Sequence, residues 1–239
     1  MKVVALGYIV AALACSTLAA CQSKTEPPAQ RANEAAAQAL PAQSRIPAIR
    51  IAPLAPLPNV TAQIPVLNQK TTVRMVTTAG EVVIEVYPRA APHAAERFVE
   101  LVRSGFYDGT PISRVVPGFV AQFGVNWRSP HKDWEKRTFD DDPTLFSLER
   151  GTLAFAKAGL NTNSTQVFIN YAENNRLAEP RYNFTVFGKV VGGMDVVDRF
   201  VRVGDASGGL DQERLWADGG AYLDSLPLKP TMIETATVE

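Results

Sequence analysis

The chain has 239 residues, with 24 Lys plus Arg set against 24 Asp plus Glu and a formal net charge of zero. A balanced charge without a basic run argues against a nucleic-acid or anionic-membrane surface as the main partner. Only two His are present and both Cys lie within the first 21 residues, so the body of the protein lacks the residues for a His/Cys metal site or a disulfide framework.

The first element is a targeting segment. After Met1 and Lys2, residues 3–20 read "VVALGYIVAALACSTLAA", uncharged and rich in Ala, Val and Leu, which is an export signal or a membrane anchor. A spanning helix needs about 20 predominantly apolar residues, and this run is slightly short. The stretch "LAAC", Leu18 to Cys21, resembles the lipobox of bacterial lipoproteins: Leu, two small residues, then the Cys that receives lipid. "ALAC", ending at Cys15, lacks the leading Leu. Residues 1–20 are therefore expected to be a lipoprotein signal peptide and Cys21 the lipid attachment site; the rival is a signal-anchor helix with two incidental cysteines. With Cys21 lipidated, the mature chain has no free thiol, which suits an oxidising compartment. Gln22 and Ser23 follow, with no Asp, a pattern that resembles outer-membrane lipoproteins of Gram-negative families. The expected location is thus the cell envelope, lipid-anchored to a membrane, on the periplasmic face of the outer membrane if the source is Gram-negative.

From Gln22 to about Lys70 the composition shifts to Pro, Ala and Gln, with eight of the 17 Pro and no Gly. Such a stretch buries too little apolar surface to order itself, so 21–70 reads as a lipidated Cys followed by a disordered tether.

From Thr71 onward, short β-like runs alternate with turn residues. "TVRMVTT" and "EVVIEVY" flank Ala79-Gly80 as a hairpin. "TPISRVV", "FVAQFGV", "GTLAFA", "TQVFINY", "NFTVFGKVV" and "TMIETATV" follow, making eight strands. "APHAAERFVELVRSGF" places Ala95, Phe98, Leu101 and Val102 on one helical face behind Pro92, and "GGMDVVDRFVRVG" does so with Met194, Val197, Phe200 and Val201. The expected fold is mainly β: a closed eight-stranded antiparallel β-barrel capped by two α-helices, spanning 71–239. Side chains fill the interior of such a barrel, which directs a ligand to its outer face.

His93 and His131 sit beside no obvious Ser, and nucleophilic catalysis finds little support. The run Asp140 to Asp142 lacks the alternating spacing of a calcium loop and reads by default as a solvated turn. No Gly-rich phosphate loop precedes a helix. What stands out is "ISRVVPGFVAQFG" (112–124), where Arg114 and Gln122 interrupt apolar neighbours. Strict alternation would set Arg114 and Phe119 on opposite faces, so the Pro117-Gly118 corner between them is needed to bring them together.

That stretch, "GTLAFAKAGLNTNSTQVFIN" (151–170) and "FTVFGKVVGGMDVVD" (184–198) occur in order, with "SGFYDGT" (104–110) ahead of them. Together they resemble the cyclophilin family of peptidyl-prolyl cis-trans isomerases over roughly residues 71–239. The resemblance implies that the catalytic arginine is Arg114 and that Gln122 is the polar residue steadying it or the substrate backbone. It implies a proline pocket of Phe119, Val120 (commonly Met in the family), Phe168 and Leu177, with Phe184 at its edge. Gln166 would add a second polar contact, and Ala156, Lys157 and Ala158 the strand along which the substrate peptide lies. The implied partners are proline-containing polypeptides and, through the N-terminal lipid, a membrane; the expected state is a monomer.

The chemistry suits this set. Amide resonance opposes rotation of the X-Pro bond with a barrier of about 18–20 kcal/mol, and no bond is made or broken. As the bond twists, the prolyl nitrogen lone pair localises, so a donor aimed at it binds the twisted form better than either ground state. An apolar pocket holds the ring still and excludes water. Neither cofactor nor metal is required.

The sequence departs from the family at several points. Ser113 stands where His is usual and Ile112 where Phe is common. Arg176 takes the place of an aromatic residue that contacts cyclosporin, and Lys157 that of an Asn. "WRSPHKDWEKRTFDDD" replaces a Gly-rich loop, and 204–227 is an elaboration without a legible role. These changes bear on drug sensitivity and substrate preference more than on the reaction. Two rivals remain at this stage: a catalytically weak Pro-peptide binding module or chaperone, and a structural envelope lipoprotein whose barrel only displays a surface.

Overall fold

The computed structural model describes residues 70–239; Cys21 and the segments expected to be a signal peptide and a tether lie outside the described residues. Eight strands run in the order β1 (Thr71–Thr77), β2 (Gly80–Val86), β3 (Thr110–Val116), β4 (Val120–Phe123), β5 (Thr152–Phe155), β6 (Val167–Asn170), β7 (Val186–Gly192) and β8 (Met232–Val238). They close into a barrel in the spatial order β1-β2-β7-β5-β6-β4-β3-β8, every pairing antiparallel. Closure gives each strand two neighbours and leaves no open edge.

Alternation sets the interior. β1 buries Val73, Met75 and Thr77, and β2 buries Val82, Ile84 and Val86, as a period of two requires when one face meets the core. Helix α1 (Pro92–Arg103) lays Ala94, Ala95, Phe98, Leu101 and Val102 against this core. The Phe98 ring lies 5.6 Å from Tyr107 and 5.0 Å from Phe187.

The start of α1 depends on a distant residue. Its N-cap position is Ala91, which offers no side-chain acceptor. The missing acceptor comes from Asp142, whose carboxylate receives the N–H groups of His93 and Ala94 at 3.2 and 2.9 Å. A buried carboxylate there satisfies orphan donors and faces the positive end of the helix. Asp141 is also engaged, 2.6 Å from Lys157 Nζ, with both side chains nearly inaccessible. The acidic run is therefore not a solvated turn: two of its three carboxylates are structural.

The second expected helix is short. α2 covers Met194–Asp198 only; Phe200 is still buried, but on irregular backbone. A third helix, α3 (Gln212–Ser225), was not expected, which makes three α-helices among the described residues. Asp218 breaks α3 with non-helical φ/ψ, and its carboxylate caps the second half by accepting from Ala221 N–H at 3.3 Å. At the break, Trp127 presses on Gly219 so closely that a Cβ would lie 2.3 Å from the indole. The two elaborations without legible roles thus pack on each other, and Leu215, Trp216, Tyr222 and Leu223 join the main core.

Candidate active site

The site begins with an irregularity in β3. Ile112 pairs with Phe123 but Arg114 pairs with Gln122, so Ser113 is an extra residue in the ladder. Were the ladder regular through Ser113, alternation from the core residue Ile112 would aim Arg114 into the barrel. The bulge moves the interior position to Val115 and turns Arg114 outward, a use of bulges common beside active sites. Ser113 itself is fully buried, its hydroxyl donating to Gln122 O at 3.3 Å.

From Arg114 a single row of the ladder crosses the outer face. Arg114 opposes Gln122, Gln122 opposes Phe168, Phe168 opposes Ala154, and Ala154 opposes Val186. Strand partners share a face, so the charged end and the apolar end of this row lie on one surface. Val120, Leu148, Ala154, Phe168 and Val186 form a second buried cluster here, with Phe119, Ala156, Leu177 and Phe184 packed against it. β5 and β6 are consequently buried on both faces.

A cleft of about 500 Å³ opens over this cluster. It is lined by Arg114, Phe119, Val120, Gln122, Ala156, Lys157, Ala158, Gln166, Phe168, Leu177 and Phe184, which are all the residues expected from the sequence except Cys21. The turn 117–119 brings Phe119 back toward Arg114, with Gly118 at φ +73° and the Arg114 guanidinium carbon 5.6 Å from the Phe119 ring centre. Phe168 and Phe184 meet edge to face, with centres 5.6 Å apart.

The polar side is a chain of donors and acceptors. Arg114 Nη1 donates to Gln122 Oε1 at 3.2 Å, and Gln122 Nε2 donates to Gln166 Oε1 at 2.8 Å. Gln166 owes its place to Gly124, at φ +108°, where a Cβ would lie 2.4 Å from Thr165 O and 2.8 Å from Gln166 Cα. Only glycine tolerates both that φ and that approach.

The wall formed by 156–158 lies beyond β5, which ends at Phe155, although Ala156 N–H still reaches Gln166 O at 2.8 Å. The Lys157 ammonium is taken up by protein groups: it binds Asp141, donates to Asn183 O at 2.9 Å and sits 5.3 Å from the Phe184 ring centre. Burial alone would raise the Asp141 carboxyl. Hydrogen bonds from Lys157, Asn161 and Asn163, with the charge of Lys157, outweigh burial and hold it below the usual carboxylate range. Thr162 Oγ1 accepts from Ala158 and Gly159 N–H at 3.1 and 3.0 Å.

Glu135, Thr162 and Ser164 also line the cleft and were not expected. Thr162 and Ser164 lie inside the quoted motif 151–170, so their position was a usable signal. Glu135 comes from the 3-10 turn His131–Lys136 in the insertion, which carries no pattern that points to a site.

The cyclophilin type peptidyl-prolyl cis-trans isomerase/CLD family model matches residues 72–236. The chain belongs to the cyclophilin family. Isomerase activity comes with that membership. This cyclophilin is 37% identical over 146 residues to a peptidyl-prolyl cis-trans isomerase of Acinetobacter baylyi, covering 59% of the present chain and 78% of the relative. It is 34% identical over 176 residues to peptidyl-prolyl cis-trans isomerase A of Dickeya dadantii, covering 70% and 84%. Its fold matches the crystal structure of a Cryptosporidium parvum cyclophilin with a TM-score of 0.55 at 23% identity, over 72% of this chain and 98% of that one. A second structure of that protein was determined in the presence of the dipeptide ala-pro, with a TM-score of 0.53 at 24% identity.

Proposed function

We propose that this cyclophilin isomerises X-Pro bonds in exported polypeptides and assists their folding in the cell envelope, acting as a monomer held at the membrane by lipid on Cys21. The observation that carries the reaction chemistry is the row Arg114–Gln122–Phe168, which sets a cationic donor and an apolar floor on one surface. The pyrrolidine ring fits over Phe168 between Phe119, Leu177 and Phe184. A ring seated there stays fixed while the acyl side turns, and the guanidinium meets the prolyl nitrogen as its lone pair localises. Gln122 limits the motion of Arg114, so little reorganisation remains to be supplied at the twisted state. The Ala-Pro dipeptide used with the parasite protein is the smallest ligand of the class proposed.

The envelope assignment is supported by the lipobox-like "LAAC" and by the sequence after Cys21, which contains no further Cys. Two experiments test the reading. In a proline-isomerisation assay on an Ala-Pro peptide, the wild type should accelerate exchange and Phe168→Ala should lower the rate through weaker binding; no acceleration by the wild type would leave only a peptide-binding module. Mass spectrometry of the mature protein should find a lipidated Cys21 at the N-terminus, and an intact Met1 would remove the anchor.

A further inference from the structure

The segment 204–210 belongs to no strand or helix, yet it is tightly built. Asp205 Oδ1 accepts the Ser207 N–H at 2.8 Å, the Ser207 hydroxyl at 2.9 Å and the Gly208 N–H at 2.7 Å. The backbone closes the same turn: Asp205 N–H donates to Gly209 O at 2.7 Å and Gly209 N–H returns to Asp205 O at 3.0 Å. Arg202 Nη2 donates to Ala206 O at 3.0 Å from the preceding segment. The N–H groups of Gly208 and Ser207 hold the Asp205 carboxyl down to about 2, so it is an ionised acceptor at any working pH.

This turn is seated on β3. Leu210 N–H donates to Ser113 O at 2.8 Å. Gly209, at φ +76°, approaches so closely that a Cβ would lie 2.4 Å from Ser113 O and 2.7 Å from Arg114 Cα. The contact falls on the bulge that turns Arg114 outward. From this seat the Ser207 carbonyl accepts the Arg114 Nε–H at 2.5 Å. Guanidinium donors lie in one plane at fixed angles. Holding Nε at Ser207 and Nη1 at Gln122 therefore fixes the direction of Nη2, which has no hydrogen-bond partner among the described residues.

We propose that Asp205 is a positioning residue of the isomerase: without meeting substrate, it shapes the turn whose Ser207 carbonyl orients the Arg114 guanidinium for the twisted prolyl nitrogen. The inference rests on Arg114 being the donor. In the full chain, Asp205→Ala should lower kcat on an Ala-Pro peptide by roughly 10- to 100-fold, the usual cost of a misplaced catalytic group, with KM nearly constant. Asp205→Asn keeps an acceptor oxygen and should recover most of kcat, which loss of a merely structural charge would not allow. An unchanged kcat in Asp205→Ala, or equal losses in the Ala and Asn variants, would overturn the proposal. If Asp205→Ala fails to fold, the wild type still decides: the Arg114 Nε–H should exchange with solvent more slowly than that of exposed Arg176 by NMR, and equal exchange would overturn it. Retained activity in Arg114→Ala would instead overturn the underlying reading of the donor.

Discussion

Arg114 is held by two acceptors, the Gln122 amide and the Ser207 carbonyl, while Phe119 covers its face. A second cation of the cleft, Lys157, is spent on structure through Asp141, so the cleft presents one guanidinium to a ligand rather than two competing charges. Because the folded-state Asp141 carboxyl lies below its unfolded value, the pair stabilises the fold fully above the ordinary Asp value of about 4 and loses its contribution as pH falls through the lower folded value. Asp141→Asn is expected to cost about 3–5 kcal/mol at neutral pH, since the Lys157 charge stays buried without its partner. In thermal unfolding, the gap between wild type and variant should narrow below about pH 4; a gap that stays constant into acid would contradict the assignment. Most of the cleft residues were legible because three sequence motifs carry them in order. Asp142 was not, since a cap supplied from 48 and 49 residues away leaves no local pattern, and Glu135 sits in an insertion with none.

At the scale of elements, the decisive feature is the bulge at Ser113. The strand and its partner were readable from composition, and the Pro117-Gly118 corner correctly returned Phe119 to the side of Arg114. An extra residue in a ladder is invisible until both strands are in register, so the turning of Arg114 was not readable. Deleting Ser113 would make the ladder regular with Arg114 still outward and opposite Gln122, but it removes the carbonyl that accepts the Leu210 N–H, so this variant is expected to fold with lowered activity. Ser113→Ala should fold and keep its activity, losing only a long hydroxyl contact; circular dichroism and the peptide assay check both. α3 escaped the sequence for a related reason. Asp218 splits its apolar residues into two half-faces, Leu215 and Trp216 before the break and Tyr222 and Leu223 after it, so no single period runs through them.

At the scale of the molecule, the barrel interior and the cleft are separate apolar clusters on opposite faces of the same strands. The interior clamps the backbone of β3 to β6, and the outer face is thereby free to carry chemistry. Residues 70–239 are expected to fold alone and to turn over a soluble Ala-Pro peptide as fast as the full chain, because the family model matches residues 72–236 and the cleft is lined from within that span; a large loss in such a truncation, read by the same assay, would show that residues 1–69 contribute to turnover. The central claim is that Arg114 favours the twisted bond over either ground state. NMR exchange spectroscopy on an Ala-Pro peptide with the wild type and Arg114→Ala tests it most directly. The expected result is cis-trans exchange slowed by about 10²–10³-fold, the usual cost of removing a transition-state donor, with peptide affinity little changed. Undiminished exchange in Arg114→Ala would contradict it.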